Sequence, residues 1–560
     1  MTWRIALLCS LVSATAMMMK IPEAAISCYL VIFLMKPDAA QNIVMGAGLI
    51  LLASIVVVIM IPVINLTIDN PPARLAIIFF ASYLFLFLSS TTPLGEQAAI
   101  VGLIIAFLMT LVTDVPVGQI ADQGLLMAWK MAAMPMLLMI VFNLFLGFST
   151  ERQVRDKVVK RLSVAAEHLR GRDKADEIDE LLGEGNETLL SQMQLVKLLY
   201  LCPRNYAKWL NGAVETSYAI LVSASHVTRH LPEDERSRLA NALLDVAGKV
   251  SAKDRNVTVS ARAQLEGPGV DIWREIADLS HADGGGSPHP QKPPLLSPDA
   301  FSNPDHQRYA LKTSVAAVIC YLLYTGLHWD GIHTAMITCY VAALGSTGET
   351  VRKLALRIIG CLIGAAMGVL ALLFIMPSLT SIGGLMLLVF AGVFIAGWVS
   401  SGNERISYAG VQIALAFLLT ILNGFGPSFE FSQASDRIVG ILIGNVVIYF
   451  IFTQFWPRSA MTTVRQNINS ALDGLMRLAD RPSTDQRLKV EDVSGAYVRL
   501  GAASQLLETT MFEPATMRPP ASELDTAAEA ISGSRDLAGS LFAGDAGSSD
   551  IGSRLKALRQ

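Results

Sequence analysis

The sequence predicts an all-α polytopic membrane protein. It reads as two parallel six-helix transmembrane repeats, with a helical cytoplasmic insert between them and a helical cytoplasmic tail. Three observations carry that prediction. Residues 1–149 and 307–457 are nearly uncharged and break into apolar stretches with similar polar punctuation, while 150–306 and 458–560 are charged. Short strings recur at a nearly constant offset. Ala106-Phe107-Leu108-Met109-Thr110 parallels Ala416-Phe417-Leu418-Leu419-Thr420, 310 residues later, and Arg4 opens the first block as Lys312 opens the second, 308 later. Lys and Arg also crowd block ends and loops that share one side when each block has six spans.

A helix needs about 20 apolar residues to cross a bilayer. The first block offers spans at 4–20, 22–36, 43–68, 73–90, 97–113 and 125–148. Continuous apolar runs of this kind do not alternate as barrel strands do. Met1–Lys20 has the form of a signal peptide. Its internal counterpart at Lys312–Leu327 argues instead for a first membrane helix. Within 150–280, Val154, Val158, Leu162, Ala165 and Leu169 keep a helical period, as do Leu189, Met193, Val196, Leu199 and Tyr200, which predicts a packed helical domain. Residues 281–306 are a Gly/Pro/Ser linker. The second block offers spans at 310–327, 332–346, 354–376, 382–400, 406–422 and 437–456. The tail, 458–560, reads as helical to 533 and frayed over 539–553.

Orientation follows from the basic residues. Arg152, Arg155, Lys157, Lys160 and Arg161 end the first block, and Arg308 and Lys312 open the second. Arg352, Lys353 and Arg357 hold its second loop, Arg405 its fourth, and Arg458 its end. The positive-inside bias then places both termini and the insert in the cytoplasm. An even number of spans gives both blocks one orientation, so the repeat is parallel, and paired repeats place a pathway at their interface.

Composition and motifs exclude much else. The chain is 52% hydrophobic and 16% charged, with mean hydropathy +0.47, where soluble domains are about a quarter charged. A net charge of −3 and the lack of basic patches interleaved with aromatics give no sign of nucleic-acid binding. The six cysteines (Cys9, Cys28, Cys202, Cys320, Cys339, Cys361) form no CxxC, and five lie in apolar stretches, so neither a disulfide framework nor a metal cluster is implied. No GxxxxGK[ST], GxSxG, HExxH or EF-hand pattern occurs. We therefore expect no enzyme activity, no cofactor, no metal and no ATP-driven step. His328 and His333 are five apart but lack a third ligand.

The second block carries a more specific pattern. Asn303-Pro304-Asp305-His306-Gln307-Arg308-Tyr309 leads into its first span, followed by His328-Trp329-Asp330-Gly331-Ile332-His333-Thr334 and Ala355-Leu356-Arg357-Ile358-Ile359-Gly360 with Gly364 and Gly368. Glu404-Arg405-Ile406-Ser407-Tyr408, Asp436-Arg437-Ile438-Val439-Gly440 with Gly444, and Phe455-Trp456-Pro457 complete it. The pattern resembles the fusaric acid resistance (FUSC), or aromatic acid exporter, family, and within it the inner-membrane subunits of tripartite multidrug efflux systems. The resemblance is strong over 301–457 and weaker over 1–150, where the Arg/Gly pattern of 352–368 is lacking. It implies export of aromatic carboxylic acids or amphipathic drugs, with a periplasmic membrane-fusion protein and an outer-membrane channel as partners. A homo-oligomer is compatible with it.

Individual residues carry two readings each. Gly360, Gly364 and Gly368 line one helix face, as do Gly440 and Gly444, either for close packing or as a sliding surface. Asp436 and Arg437 form a depth-setting cap or an anion contact, since guanidinium holds a carboxylate through two hydrogen bonds. Lys130 occupies the equivalent place in the first block, and two such cations would suit an anionic substrate at the repeat interface. Asp330 and His333 form an interfacial turn anchored by Trp329, or a proton-coupling pair. Arg357 either snorkels or lines the pathway. Gln412 faces the pathway or bonds a neighbouring helix. Glu404 and Arg405 are a cytoplasmic gate pair or a solvated loop. A proton-coupled exporter is the leading expectation. A passive organic-anion channel of the aluminium-activated malate channel type and a membrane scaffold are the alternatives.

Overall fold

The structure is a computed structural model. It describes all residues except 22–23, 68–69, 112–118, 228–230, 255–268, 281–293, 403–404, 424–425, 428–430, 481–485, 544–553, 555–557 and 559–560. Along the chain run α1 (Thr2–Met18), α2 (Ala24–Leu34), α3 (Ala39–Thr67), α4 (Pro71–Thr91), α5 (Glu96–Leu111) and α6 (Gln119–Leu146). Next come α7 (Thr150–Leu169), α8 (Ala175–Gly183), α9 (Glu187–Leu198), α10 (Arg204–Val227), α11 (Glu233–Ser251) and α12 (Val270–Ser280). Then follow α13 (Pro304–Gly326), α14 (Thr334–Ala342), α15 (Thr347–Leu370), α16 (Ile382–Gly402), α17 (Ser407–Ile421) and α18 (Phe431–Gln454). The chain closes with α19 (Ala460–Asp480), α20 (Gln486–Thr509) and α21 (Ala521–Ala543). A two-residue bridge pairs Leu422–Asn423 with Gly426–Pro427.

The chain divides into two compact units, one of Met1–Gly147 with Pro293–Arg458, the other of Phe148–Lys292 with Ser459–Gln560. Among the described residues of the first unit, seven helical segments are long and apolar enough to cross a membrane: Ala39–Thr67, Pro71–Thr91, Gly124–Leu146, Pro304–Gly326, Thr347–Ser378, Ile382–Gly402 and Ser435–Gln454. Their outward faces are greasy: Leu51, Val58, Phe80, Phe145, Phe374, Trp398 and Val446 are all well exposed. A soluble domain does not leave such a belt open to water, and the chain is a multi-pass membrane protein.

The twelve expected spans therefore divide into seven long helices and five short ones, α1, α2, α5, α14 and α17. The physical reason is position. In α17 nearly every side chain from Ala409 to Ile421 is buried, so this helix is apolar because protein surrounds it. Helix α14 has nine residues, about 14 Å at 1.5 Å per residue, well under a bilayer's hydrocarbon width. Across the unit, α1 packs on α16 and α4 on α13, and within the two blocks α3 packs on α6 and α15 on α17 and α18. Fully buried Arg4 ties the first block together by donating to Asn143 Oδ1 (2.7 Å) and to the Pro37 carbonyl (3.2 Å). In the second block Lys312 donates to the Trp456 carbonyl (3.1 Å) and lies over the Phe452 ring.

In the second unit, the heptad-like face Val154, Val158, Leu162, Ala165 and Leu169 is buried as the periodicity predicts. It shares one hydrophobic core with Val464, Leu472, Leu475, Val493, Leu500, Ile531 and Leu537 of the tail. Leu189, Met193 and Val196 are buried, but Leu199 and Tyr200 are exposed. Helix α9 ends at Leu198 and Tyr200 takes a left-handed backbone (φ 52°), which breaks the period. Helix α21 reaches Ala543, beyond the predicted end at 533, because Leu537, Ala538, Leu541 and Phe542 are buried. Buried Arg161 donates to Asn186 Oδ1 (2.7 Å) and the Gly185 carbonyl (2.6 Å), and burial lowers its pKa to about 10. It fixes the turn between α8 and α9.

Candidate functional site

The first unit encloses a cavity of about 1010 Å³ between the two blocks. Aromatic side chains form much of its wall: Tyr29 and Phe33 of α2, Phe107 of α5, Tyr309 and Tyr324 of α13, and Tyr340 of α14. Among the described lining residues, the lysines and arginines are Lys353, Arg357 and Arg437 of the second block and Arg458 just after it, while the first block supplies mainly apolar side chains, the hydroxyls of Ser89, Ser90 and Thr110, and one carboxylate, Glu96. The short helices α2, α5, α14 and α17 all contribute to the wall.

Arg357 stands in the third turn of α15 and is fully buried. One terminal nitrogen donates to the Tyr408 hydroxyl (3.1 Å) and the other to the Thr338 hydroxyl (3.2 Å). Its Nε has no hydrogen-bond partner, and no described carboxylate pairs with it. A guanidinium in such a place carries a large desolvation cost, and two neutral hydroxyls offset only part of it.

One turn earlier on the same helix face, Lys353 lies over the Tyr408 ring (5.0 Å) and 3.7 Å from Glu96 Oε1 at the start of α5. At this end of the cavity Arg458 pairs with Asp305 (3.3 Å). His306 Nδ1 meets Ser90 Oγ at 2.6 Å, and its Nε2 lies 3.4 Å from Asp299. Hydrogen bonds from Ser297 and Asn303 hold the Asp299 carboxyl down to about 2. Helix α15 begins with a capping box in which Ser346 and Glu349 satisfy each other's backbone, so the register of Lys353 and Arg357 is set from the helix start.

The other end is framed by Gly331, His333 and Arg437. The His333 ring lies tilted against that of Phe107, with centroids 5.8 Å apart. Arg437 is buried and donates to the Leu419 carbonyl (3.3 Å), while Thr334 donates to the Arg437 carbonyl (3.1 Å). Asp436 is half-buried against Gly331, where a Cβ would collide with its carboxylate, and it does not line the cavity.

The structure does not bring every sequence candidate to the cavity. Lys130 is half-buried and outside its lining, although Met127, Ala128, Met131 and Ala132 are in it. Gln412 is fully buried behind the wall, where its Oε1 is 4.0 Å from Cys361 Sγ. Arg405 is exposed, and its carbonyl accepts from Arg352 (3.0 Å). Glu404 and the Asp330 side chain lie outside the described residues. The glycines sit at close helix crossings. A Cβ at Gly360 would come 2.6 Å from the Ala409 carbonyl, one at Gly364 2.9 Å from Ala416 Cβ, and one at Gly368 2.6 Å from Thr420 Cβ. Gly440 and Gly444 abut Ile332, Ala335 and Thr338 in the same way.

Tyr29, Glu96, Tyr340 and Tyr408 were not singled out in the sequence. Tyr408 joins Lys353 to Arg357, and Tyr340 hydrogen-bonds Ser82 of the first block. The available signal was a polar ring or acid inside or beside an apolar stretch.

Residues 306–532 match the fusaric acid resistance protein family, so the resemblance read from the second block is borne out over that segment. The multidrug resistance protein MdtO of Escherichia coli K12 is 36% identical over 250 residues, covering 43% of this chain and 36% of that protein. MdtO of Shigella flexneri is equally similar, with 37% of its length covered. The inner membrane protein YccS of E. coli K12 is 29% identical over 175 residues, covering 31% of this chain and 23% of YccS. The matches thus span little more than a third of the length of MdtO and under a quarter of YccS. No solved structure matches the chain.

Proposed function

We propose that this protein is an inner-membrane efflux transporter that moves aromatic carboxylic acids or amphipathic drugs through the cavity between its two blocks. The observation that carries the proposal is Arg357, a buried guanidinium on the cavity wall whose Nε has no hydrogen-bond partner and which pairs with no described carboxylate. An anion at this point would take two charge-assisted hydrogen bonds and relieve the desolvation cost of the cation. The aromatic side chains around it offer faces for a ring. Membership of 306–532 in a resistance family and similarity to MdtO support export as the direction.

In this reading the first unit is two parallel six-helix repeats with both termini cytoplasmic. Equivalent helices exchange partners across the blocks, α1 with α16 and α4 with α13. Each block also apposes two cysteines nineteen residues apart on its first two helices, Cys9 with Cys28 and Cys320 with Cys339. Lys353, Glu96 and Arg458 then mark the cytoplasmic mouth, and His333 and Arg437 the periplasmic one. The proton gradient drives export, with His333 at the outer end of the cavity. A periplasmic membrane-fusion protein and an outer-membrane channel complete the route, and no catalytic step is involved. The test is resistance to an aromatic acid in cells expressing Arg357→Gln, Arg357→Lys or wild type at matched abundance. Gln abolishes resistance and Lys retains a minor part, because a point charge replaces a planar fork. Full resistance with Gln would overturn the proposal.

A passive anion channel is the second reading, favoured by the basic side chains at both ends of the cavity. It predicts movement only down the anion's own gradient.

A further inference from the structure

The Lys353–Glu96 pair is unequal in a way that a structural ion pair need not be. The Lys353 side chain is 13% exposed and that of Glu96 64% exposed. Their 3.7 Å separation is a charge contact without a hydrogen bond. Water readily takes over Glu96, which also sits in the first turn of α5, where the helix dipole favours a carboxylate. Lys353 has little access to water and rests on the Tyr408 ring. Lys353 and Arg357 are four residues apart on one helix face, about 6 Å, and Tyr408 touches both. Glu96 belongs to the first block and Lys353 to the second.

We infer that Glu96 is a resident stand-in for the transported anion: in the empty cavity it neutralises Lys353, and an arriving carboxylate displaces it. Resting on the anion-pathway reading above, this inference adds a role for a residue of the first block. The carboxylate is then held between Arg357 and Lys353, Glu96 passes to water, and an ion pair that ties the two blocks together at this mouth is broken by loading itself. Binding and release of the mouth become one event without a separate sensor. Lys353 is a binding residue, and Glu96 is a positioning residue that competes with the substrate.

The test uses full-length protein in phosphatidylethanolamine–phosphatidylglycerol nanodiscs, with equilibrium binding of radiolabelled benzoate as the minimal aromatic carboxylate. Glu96→Gln removes the competitor and tightens benzoate binding about two- to fivefold, the range set by an exposed pair. The same variant lowers the maximal transport rate in vesicles, giving a lower KM with a lower ceiling. Lys353→Gln weakens binding, and Glu96→Gln in that background has no further effect. Unchanged or weaker benzoate binding in Glu96→Gln, with Arg357→Gln still abolishing it, would overturn the inference and leave the anion site standing. Wild-type benzoate binding in Arg357→Gln would remove the anion site itself.

Discussion

Substituting Gly364 by alanine separates packing from sliding as the purpose of the glycine face on α15. The added Cβ would fall against the Ile413 carbonyl and 2.9 Å from Ala416 Cβ, both on α17. The obstacles are a backbone carbonyl and the Cβ of a helical residue, so no flexible side chain can swing aside. Overpacking of this kind costs about 1–3 kcal/mol, while replacing Gly by Ala inside a helix returns about 1 kcal/mol. Gly48, on α3, supplies the control, since a Cβ there meets nothing within 4 Å. Gly48→Ala should raise the thermal unfolding midpoint in detergent, and Gly364→Ala should lower it, a spread of about 1–3 kcal/mol between two chemically identical changes. Gly364→Leu should prevent accumulation of folded protein. A Gly364→Ala protein as stable as Gly48→Ala would refute close α15–α17 packing. If that stable protein also failed to transport, the glycine face would serve movement.

Three further outcomes follow from the geometry. Arg4→Ala removes donors to Asn143 Oδ1 and the Pro37 carbonyl in a fully buried site and should cost about 2–4 kcal/mol, read as a lower unfolding midpoint, with partial recovery in Arg4→Lys. Burial pushes the Glu275 carboxyl in the second unit well above its ordinary value of 4.5. The native state therefore holds its proton more tightly, and Glu275 destabilises the fold increasingly as pH rises above 4.5, levelling off above the folded value. Glu275→Gln should raise the unfolding midpoint near neutral pH and lose that advantage towards about pH 4, and equal midpoints across the range would contradict the shift. Thr338→Val removes one hydroxyl that accepts from Arg357 and should weaken benzoate binding less than tenfold, because the Tyr408 hydroxyl and the charge itself remain.

Much of the fold was legible because lipid imposes a simple rule. Long apolar runs become helices, and the charged insert and tail stand apart from them. Hydropathy cannot distinguish a helix buried in protein from one facing lipid, so α2, α5, α14 and α17 were read as spans although their apolar runs fall short of about 20 residues. Periodicity announced a buried face on α7 but not that it shares one core with α19 of the tail, because a face is apolar whatever covers it. The glycine comb and Arg357 were visible as spacing and as a charge within an apolar run. Lys130 was chosen by repeat equivalence, which fixes depth along a helix and not rotation about it; Met127, Ala128 and Met131 took the cavity side instead. Glu96 was missed because it opens an apolar helix, where an acid reads as a cap, and its partner lies 257 residues away in the other block.

The central claim is that a buried arginine on the cavity wall, paired with no described carboxylate, carries an anion across the membrane. The most direct measurement is the initial rate of benzoate movement in proteoliposomes holding equal amounts of wild type or Arg357→Gln, with and without an imposed proton gradient. The account predicts gradient-driven accumulation by wild type and background rates for Arg357→Gln. Wild-type accumulation by Arg357→Gln would contradict it.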